Sequence, residues 1–91
     1  MENQHRKIHG YRELTQEEID LMNEIKALGP QIENVIVKVQ NHIEQQRMSV
    51  DEVECDRLKD ATPERFSALA KTEFQTGLMY LTRAVAQPTF F

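Results

Sequence analysis

The stretch "TGLMYLTRAVAQPTFF", residues 76–91, constrains this chain most. From Gly77 to Ala86 it is apolar on nearly every side, broken only by Thr82 and Arg83. A helix without a polar face has to be buried all round. In a chain of 91 residues too little remains to surround it. The segment therefore predicts an oligomer whose other subunits cover this helix. Gly77, Ala84 and Ala86 would let helices approach closely there. Arg83 then needs a partner, because an unpaired buried charge costs about 3–5 kcal/mol. That partner is either a glutamate of the acidic part of the chain, in a structural salt bridge, or the phosphate of a ligand.

The rest of the pattern is helical too. Leu21, Ile25, Leu28, Ile32, Val35 and Val39 alternate at spacings of four and three, and Met22, Ile36 and Ile43 widen the stripe. Thr15 with Glu18 reads as a capping box at its start. Gly29-Pro30 interrupts the stripe without ending it, and predicts a kink or short break. A second long helix opens at Thr62-Pro63-Glu64, an N-cap, a first-position proline and a first-turn acid. It runs to about Ala86 and is stopped by Pro88. Residues 48–61 are polar and could hold a short helix opened by Ser49 and Glu52. The expectation is an all-α fold: one domain over residues 1–91, a short N-terminal segment, and two long antiparallel helices, the first kinked near Gly29-Pro30.

Charge narrows the partners. The net charge is −4, but it is unevenly laid out. Residues 13–64 carry thirteen acids against five bases, while Arg6, Lys7 and Arg12 lie ahead of them and Arg65, Lys71 and Arg83 behind. Long nucleic acids need an extended basic surface, so neither a DNA nor an RNA polymer is expected. Two small basic patches could still share a small polyanion. No run approaches the ~18 apolar residues of a membrane span, the first residues do not resemble a signal peptide, and the single cysteine, Cys55, excludes an internal disulfide. A cytoplasmic protein fits these features. No enzyme is expected. Cys55 has no histidine or acid placed beside it, and no glycine-rich phosphate loop or nucleophile elbow is present. His5 and His9 lack a third ligand for a metal. No cofactor is implied.

Binding is the better reading. Tyr11 lies outside the apolar periodicity, ahead of the helix cap. It either folds over the helix end or offers a face for a base, a contact worth ~1–3 kcal/mol. Lys26 flanks the apolar stripe one turn after Met22, either snorkelling at the surface or meeting an anion. An aromatic ring, a lysine, nearby arginines and subunit interfaces together suit a small nucleotide held between subunits. Two other classes stand beside this one. A helical assembly protein would use the same residues only for packing. A DNA-binding regulator would need the basic N-terminus to outweigh the acidic balance.

"HRKIHGYRELTQEEIDLMNEIKALG" at the front and "KTEFQTGLMYLTRAVAQPTFF" at the back resemble the phage anti-CBASS cyclic-oligonucleotide sponge family, of the second anti-CBASS type. The resemblance covers about half the chain, and residues 30–64 match only in helical character. It implies a helical homo-hexamer, a trimer of dimers, working in the host cytoplasm. Such a protein holds the cyclic nucleotide signals of CBASS immunity without cleaving them, so that the effector is not activated. By the same resemblance, cyclic dinucleotides such as 3′,3′-cGAMP sit between protomers, with Tyr11 stacking on a base, Lys26 on phosphate and Thr89 as an added contact; Arg83, read above as a candidate phosphate ligand, would join them. Cyclic trinucleotides take separate pockets, for which Arg65, Lys71 and Thr72 are the matching candidates.

Overall fold

A computed structural model describes residues 12–48 and 51–90. Three helices follow one another: α1 (Gln16–Arg47), α2 (Glu52–Ala61) and α3 (Pro63–Ala86). No strand occurs among the described residues. The all-α expectation holds, and so do the long helices and their order.

The start of α1 is set locally. The Glu18 backbone N–H donates to the Thr15 hydroxyl (3.2 Å), and the Thr15 N–H donates to the Glu18 carboxylate (2.8 Å). Two of the N–H groups that a helix start leaves unpartnered are thereby satisfied. The 32 residues of α1 run through Pro30 without a break. Pro30 has no N–H for the Lys26 carbonyl, yet this single loss does not end a helix packed along much of its length on α3. The short helix also exists, but Asp51 is its cap: its side chain accepts from the Val53 N–H at 3.0 Å. The proposed opener Ser49 lies outside the described residues.

Thr62 departs from expectation. It does not cap α3 with its side chain. It sits in the left-handed region at φ 45°, and its N–H closes α2 by donating to the Leu58 carbonyl at 3.0 Å. One residue separates the two helices, so it must reverse the chain, and a left-handed turn does so. A β-branched side chain there costs about 1–3 kcal/mol.

The two long helices run antiparallel. Arg12, ahead of α1, reaches Val85 and Ala86 at the end of α3. Arg47, at the end of α1, pairs with Glu64 in the first turn of α3. The result is a rod of 66 × 23 × 17 Å with a radius of gyration of 20.2 Å, against about 12 Å for a compact domain of this length. The apolar stripe of α1 splits into two rows. Met22, Ile25, Gly29, Ile32, Ile36 and Ile43 lie partly or fully buried, whereas Leu21, Leu28, Val35 and Val39 stay exposed. Only Ile43 and Leu58 are fully buried among the described residues, and α3 buries none of its own.

Arginine–carboxylate pairs close both ends of the hairpin. Hydrogen bonds from Arg12, and next from the Thr15 backbone, hold the Glu18 carboxyl at about 2, below its ordinary 4.5. The Arg47 guanidinium, followed by the Glu64 backbone, does the same for Glu64, also to about 2. Both folded values are depressed. The stabilisation is therefore present above about pH 4.5 and is lost as pH falls from there toward 2. We expect the melting temperature, followed by circular dichroism, to decline across that window. Glu64→Gln should melt lower than wild type at pH 7 and decline less steeply on acidification. Parallel curves would remove Glu64 from the acid response.

Candidate functional site

Between the first half of α1 and the last turns of α3 lies an open groove of about 730 Å³, within the roughly 300–1,000 Å³ of small-molecule sites. From α1 come Met22, Asn23, Lys26 and Gly29, which share one face at spacings of three and four. From α3 come Leu78, Met79, Thr82 and Arg83, and Pro88 closes the end. The walls are mostly apolar. Two of the lining residues are cations and none is an acid, in a chain whose net charge is −4. Such a groove suits a flat, partly apolar molecule that carries negative charge.

The tail shapes the Arg83 side of this groove. Gln87 adopts the left-handed conformation at φ 53°, and its N–H donates to the Arg83 carbonyl at 2.7 Å. The chain then turns so that Arg83 donates to the Phe90 carbonyl at 3.1 Å. Arg83 is exposed in the protomer, and it forms no ion pair among the described residues. The salt bridge to a glutamate, one of the two partners considered for Arg83, is therefore not found among the described residues; Glu18, in the first turn of α1, is held by Arg12. Most of Arg83's five donors stay open to an acceptor in the groove. Thr89 lies with Arg83, Pro88 and Phe90 around a smaller adjoining cavity of about 340 Å³. Lys26, Arg83 and Thr89 thus cluster at one end of the hairpin.

Tyr11 lies outside the described residues, as do Arg6, Lys7, His5 and His9. The neighbouring Arg12 is described, and its role differs from the expectation that it supplies free positive potential. It makes a forked pair with Glu18 and donates to the carbonyls of Val85 (2.7 Å) and Ala86 (3.1 Å). These carbonyls belong to the last turn of α3, where cationic donors are favourable.

Arg65, Lys71 and Thr72 are not gathered into one cluster. Lys71 lines a second groove of about 370 Å³ with Phe74, Gln75 and Gln40. The Thr72 hydroxyl turns back to the Ala68 carbonyl at 3.3 Å. The Arg65 guanidinium lies over the Phe66 ring, 5.5 Å from its centre, an attraction of about 0.5–1 kcal/mol at an exposed site. Cys55 is exposed. Among the described residues no group of three or more metal-ligating side chains converges, and no helix is long and apolar enough to cross a membrane.

Asn23, Met79 and Thr82 line the groove without having been singled out from sequence. Asn23 precedes Lys26 by three positions, so helix spacing alone could have placed it on the same face. Met79 and Thr82 carried no such signal, because a run that is apolar on all sides does not say which side meets α1.

Comparison with known proteins bears on this geometry. Residues 3–86 match the family described as Acb2/Tad1, hairpin domain. The chain is also similar to anti-CBASS protein 2 of Pseudomonas phage JBD67, with 42% identity over 97% of each chain.

Proposed function

The chain belongs to the Acb2/Tad1 hairpin-domain family, and from that premise we propose that it is a phage immune-evasion protein that binds and sequesters cyclic nucleotide signals of CBASS immunity. The name of its relative, anti-CBASS protein 2, supports an anti-CBASS role. One observation about the chain itself supports the ligand class: an acidic protein keeps a groove with two cations, apolar walls and no acid. A cyclic dinucleotide such as 3′,3′-cGAMP carries two phosphates and two flat bases, the complement of that lining.

In this reading Lys26 and Arg83 take phosphates, Thr89 adds a hydrogen bond and Tyr11 stacks on a base. Cyclic trinucleotides use a separate site that draws on Arg65, Lys71 and Thr72. The working form is a homo-hexamer, a trimer of dimers, which covers the exposed apolar faces and completes each site between protomers. The protein acts in the host cytoplasm, uses no metal or cofactor, and leaves its ligand intact.

Sequestration makes a quantitative demand. Holding a nanomolar signal requires about −12 kcal/mol per site. Two stacked bases at ~1–3 kcal/mol each and charge-assisted bonds at about 1.5–3 kcal/mol each approach that sum, provided the subunits present the site already formed.

The test is calorimetric titration of the purified protein with 3′,3′-cGAMP and with a cyclic triadenylate, followed by chromatography of ligand released by heat. We expect tight binding of about one dinucleotide per protomer and recovery of intact ligand. A linear product would make the protein an enzyme. No heat with either ligand would leave a purely structural assembly protein, the reading favoured in that case by the exposed apolar rows.

A further inference from the structure

We propose that the second groove is a base subsite of the first. A cyclic dinucleotide whose phosphates lie against Lys26 and Arg83 passes over Gly29 and lays one base on the ring of Phe74. This subsite rests on the first groove being the ligand site.

The two grooves are neighbours along one seam, and Gly29 and Leu78 line both of them. On α1 the lining continues from Lys26 through Gly29 to Glu33 and Gln40. On α3 it continues from Thr82 through Leu78 to Phe74. Residues three and four apart share a helix face, so these positions border one trough. From Lys26 to Gln40 it follows α1 for about 21 Å. Gly29 is the low point between its two halves. A Cβ added there would meet only Leu78 Cδ1, at 3.9 Å. That is an ordinary contact, so the packing of α3 admits an alanine. A longer side chain would project into the seam and divide the trough. Glycine is the less stable choice inside a helix. It also spares the crowding that a Cβ would meet ahead of Pro30, and it leaves the floor between the grooves open.

Charge gives the halves different roles. The first groove holds Lys26 and Arg83 and no acid. The second holds one base, Lys71, and one acid, Glu33. Phosphates therefore favour the first half, and a neutral heterocycle is tolerated in the second. Phe74 lines the second half with its side chain 48% exposed, and an exposed ring is a surface on which a base stacks. Gln40 and Gln75 lie beside it. Neither side-chain amide makes a hydrogen bond among the described residues, and each offers both a donor and an acceptor to a base edge. Lys71 stands three residues beyond Phe74, at the far end.

A double-mutant cycle read by calorimetric titration with 3′,3′-cGAMP tests the subsite. Phe74→Ala should raise Kd roughly 5- to 150-fold, the loss of one stacked base. Phe74→Leu should lose nearly as much, because it restores apolar bulk without a ring. Gly29→Leu should raise Kd about tenfold or more by filling the gap. In the Gly29→Leu background Phe74→Ala should change Kd less than about twofold, since the base no longer reaches the ring. Gly29→Ala should lose less than Gly29→Leu, and it covers the case of the leucine variant folding poorly. A side chain ahead of Pro30 is crowded, so both Gly29 variants are also made in Pro30→Ala and compared with Pro30→Ala alone. Full affinity in Phe74→Ala, in Phe74→Leu or in Gly29→Leu would overturn the subsite. Equal losses from Phe74→Ala in both backgrounds would do so too, because the ring would then act without the gap. In all of these cases wild type still binds, and the ligand reading stands. If wild type binds no cyclic nucleotide, the ligand reading itself fails and takes the subsite with it.

Discussion

Replacing Lys26 and Arg83 together by alanine should abolish cyclic dinucleotide binding under conditions where wild type saturates. Each side chain lines the same groove and neither has a carboxylate partner among the described residues. Each can give a phosphate a charge-assisted hydrogen bond, worth about 1.5–3 kcal/mol. A single substitution should thus raise Kd by roughly 10- to 150-fold. If the losses add, the double substitution should cost about a hundredfold or more. Arg83→Lys should fall between wild type and Arg83→Ala, since the charge remains but the planar fork is gone. Both residues are exposed, so helicity by circular dichroism should stay at the wild-type level. Raised ionic strength should weaken wild-type binding and affect the double variant less. Wild-type affinity in the double variant would remove the groove from consideration as the ligand site.

Much of the fold was legible because its determinants are local. The capping box of Thr15 and Glu18 is a statement about four consecutive residues, and it forms as read. The end of α3 near Pro88 follows equally from local stereochemistry. The misread features each depended on something outside the motif that was read. Thr62-Pro63-Glu64 looks like a helix cap, but with α2 ending one residue earlier the same threonine must reverse the chain. Ser49 looked like an opener for α2, but Asp51, two positions nearer the helix, caps it.

The site was less legible for the same reason. Lys26 and Arg83 were named one by one, but nothing in their spacing says that they share a groove; the antiparallel pairing of α1 with α3 does that. The destination of Arg12 was invisible, since its acceptors are backbone carbonyls at residues 85 and 86, and any residue type supplies a carbonyl. The stripe on α1 was visible as a whole, but spacings of three and four cannot separate the row that faces α3 from the row that faces outward.

The outward row carries the second large prediction. Leu21, Leu28 and Val35 recur every seven residues and are 42%, 41% and 57% exposed. A heptad row of this kind is what a neighbouring helix covers. The protomer needs such cover. Two fully buried side chains among the described residues are a thin core, and a rod exposes more surface than a sphere. We therefore expect wild type to sediment as a multimer. Leu28→Asp with Val35→Asp should break it into smaller species with a lower melting temperature. Burying a leucine or valine is worth about 1.5–3 kcal/mol. In a two-fold contact each substitution counts on both subunits. Two positions then remove about 6 kcal/mol or more, roughly four orders of magnitude in the association constant. Analytical ultracentrifugation reads the mass directly. An unchanged mass in the double variant would put this row outside any subunit contact. Dissociation with ligand affinity preserved would mean that each protomer carries a whole site, whereas dissociation with affinity lost would mean that subunit contact completes it.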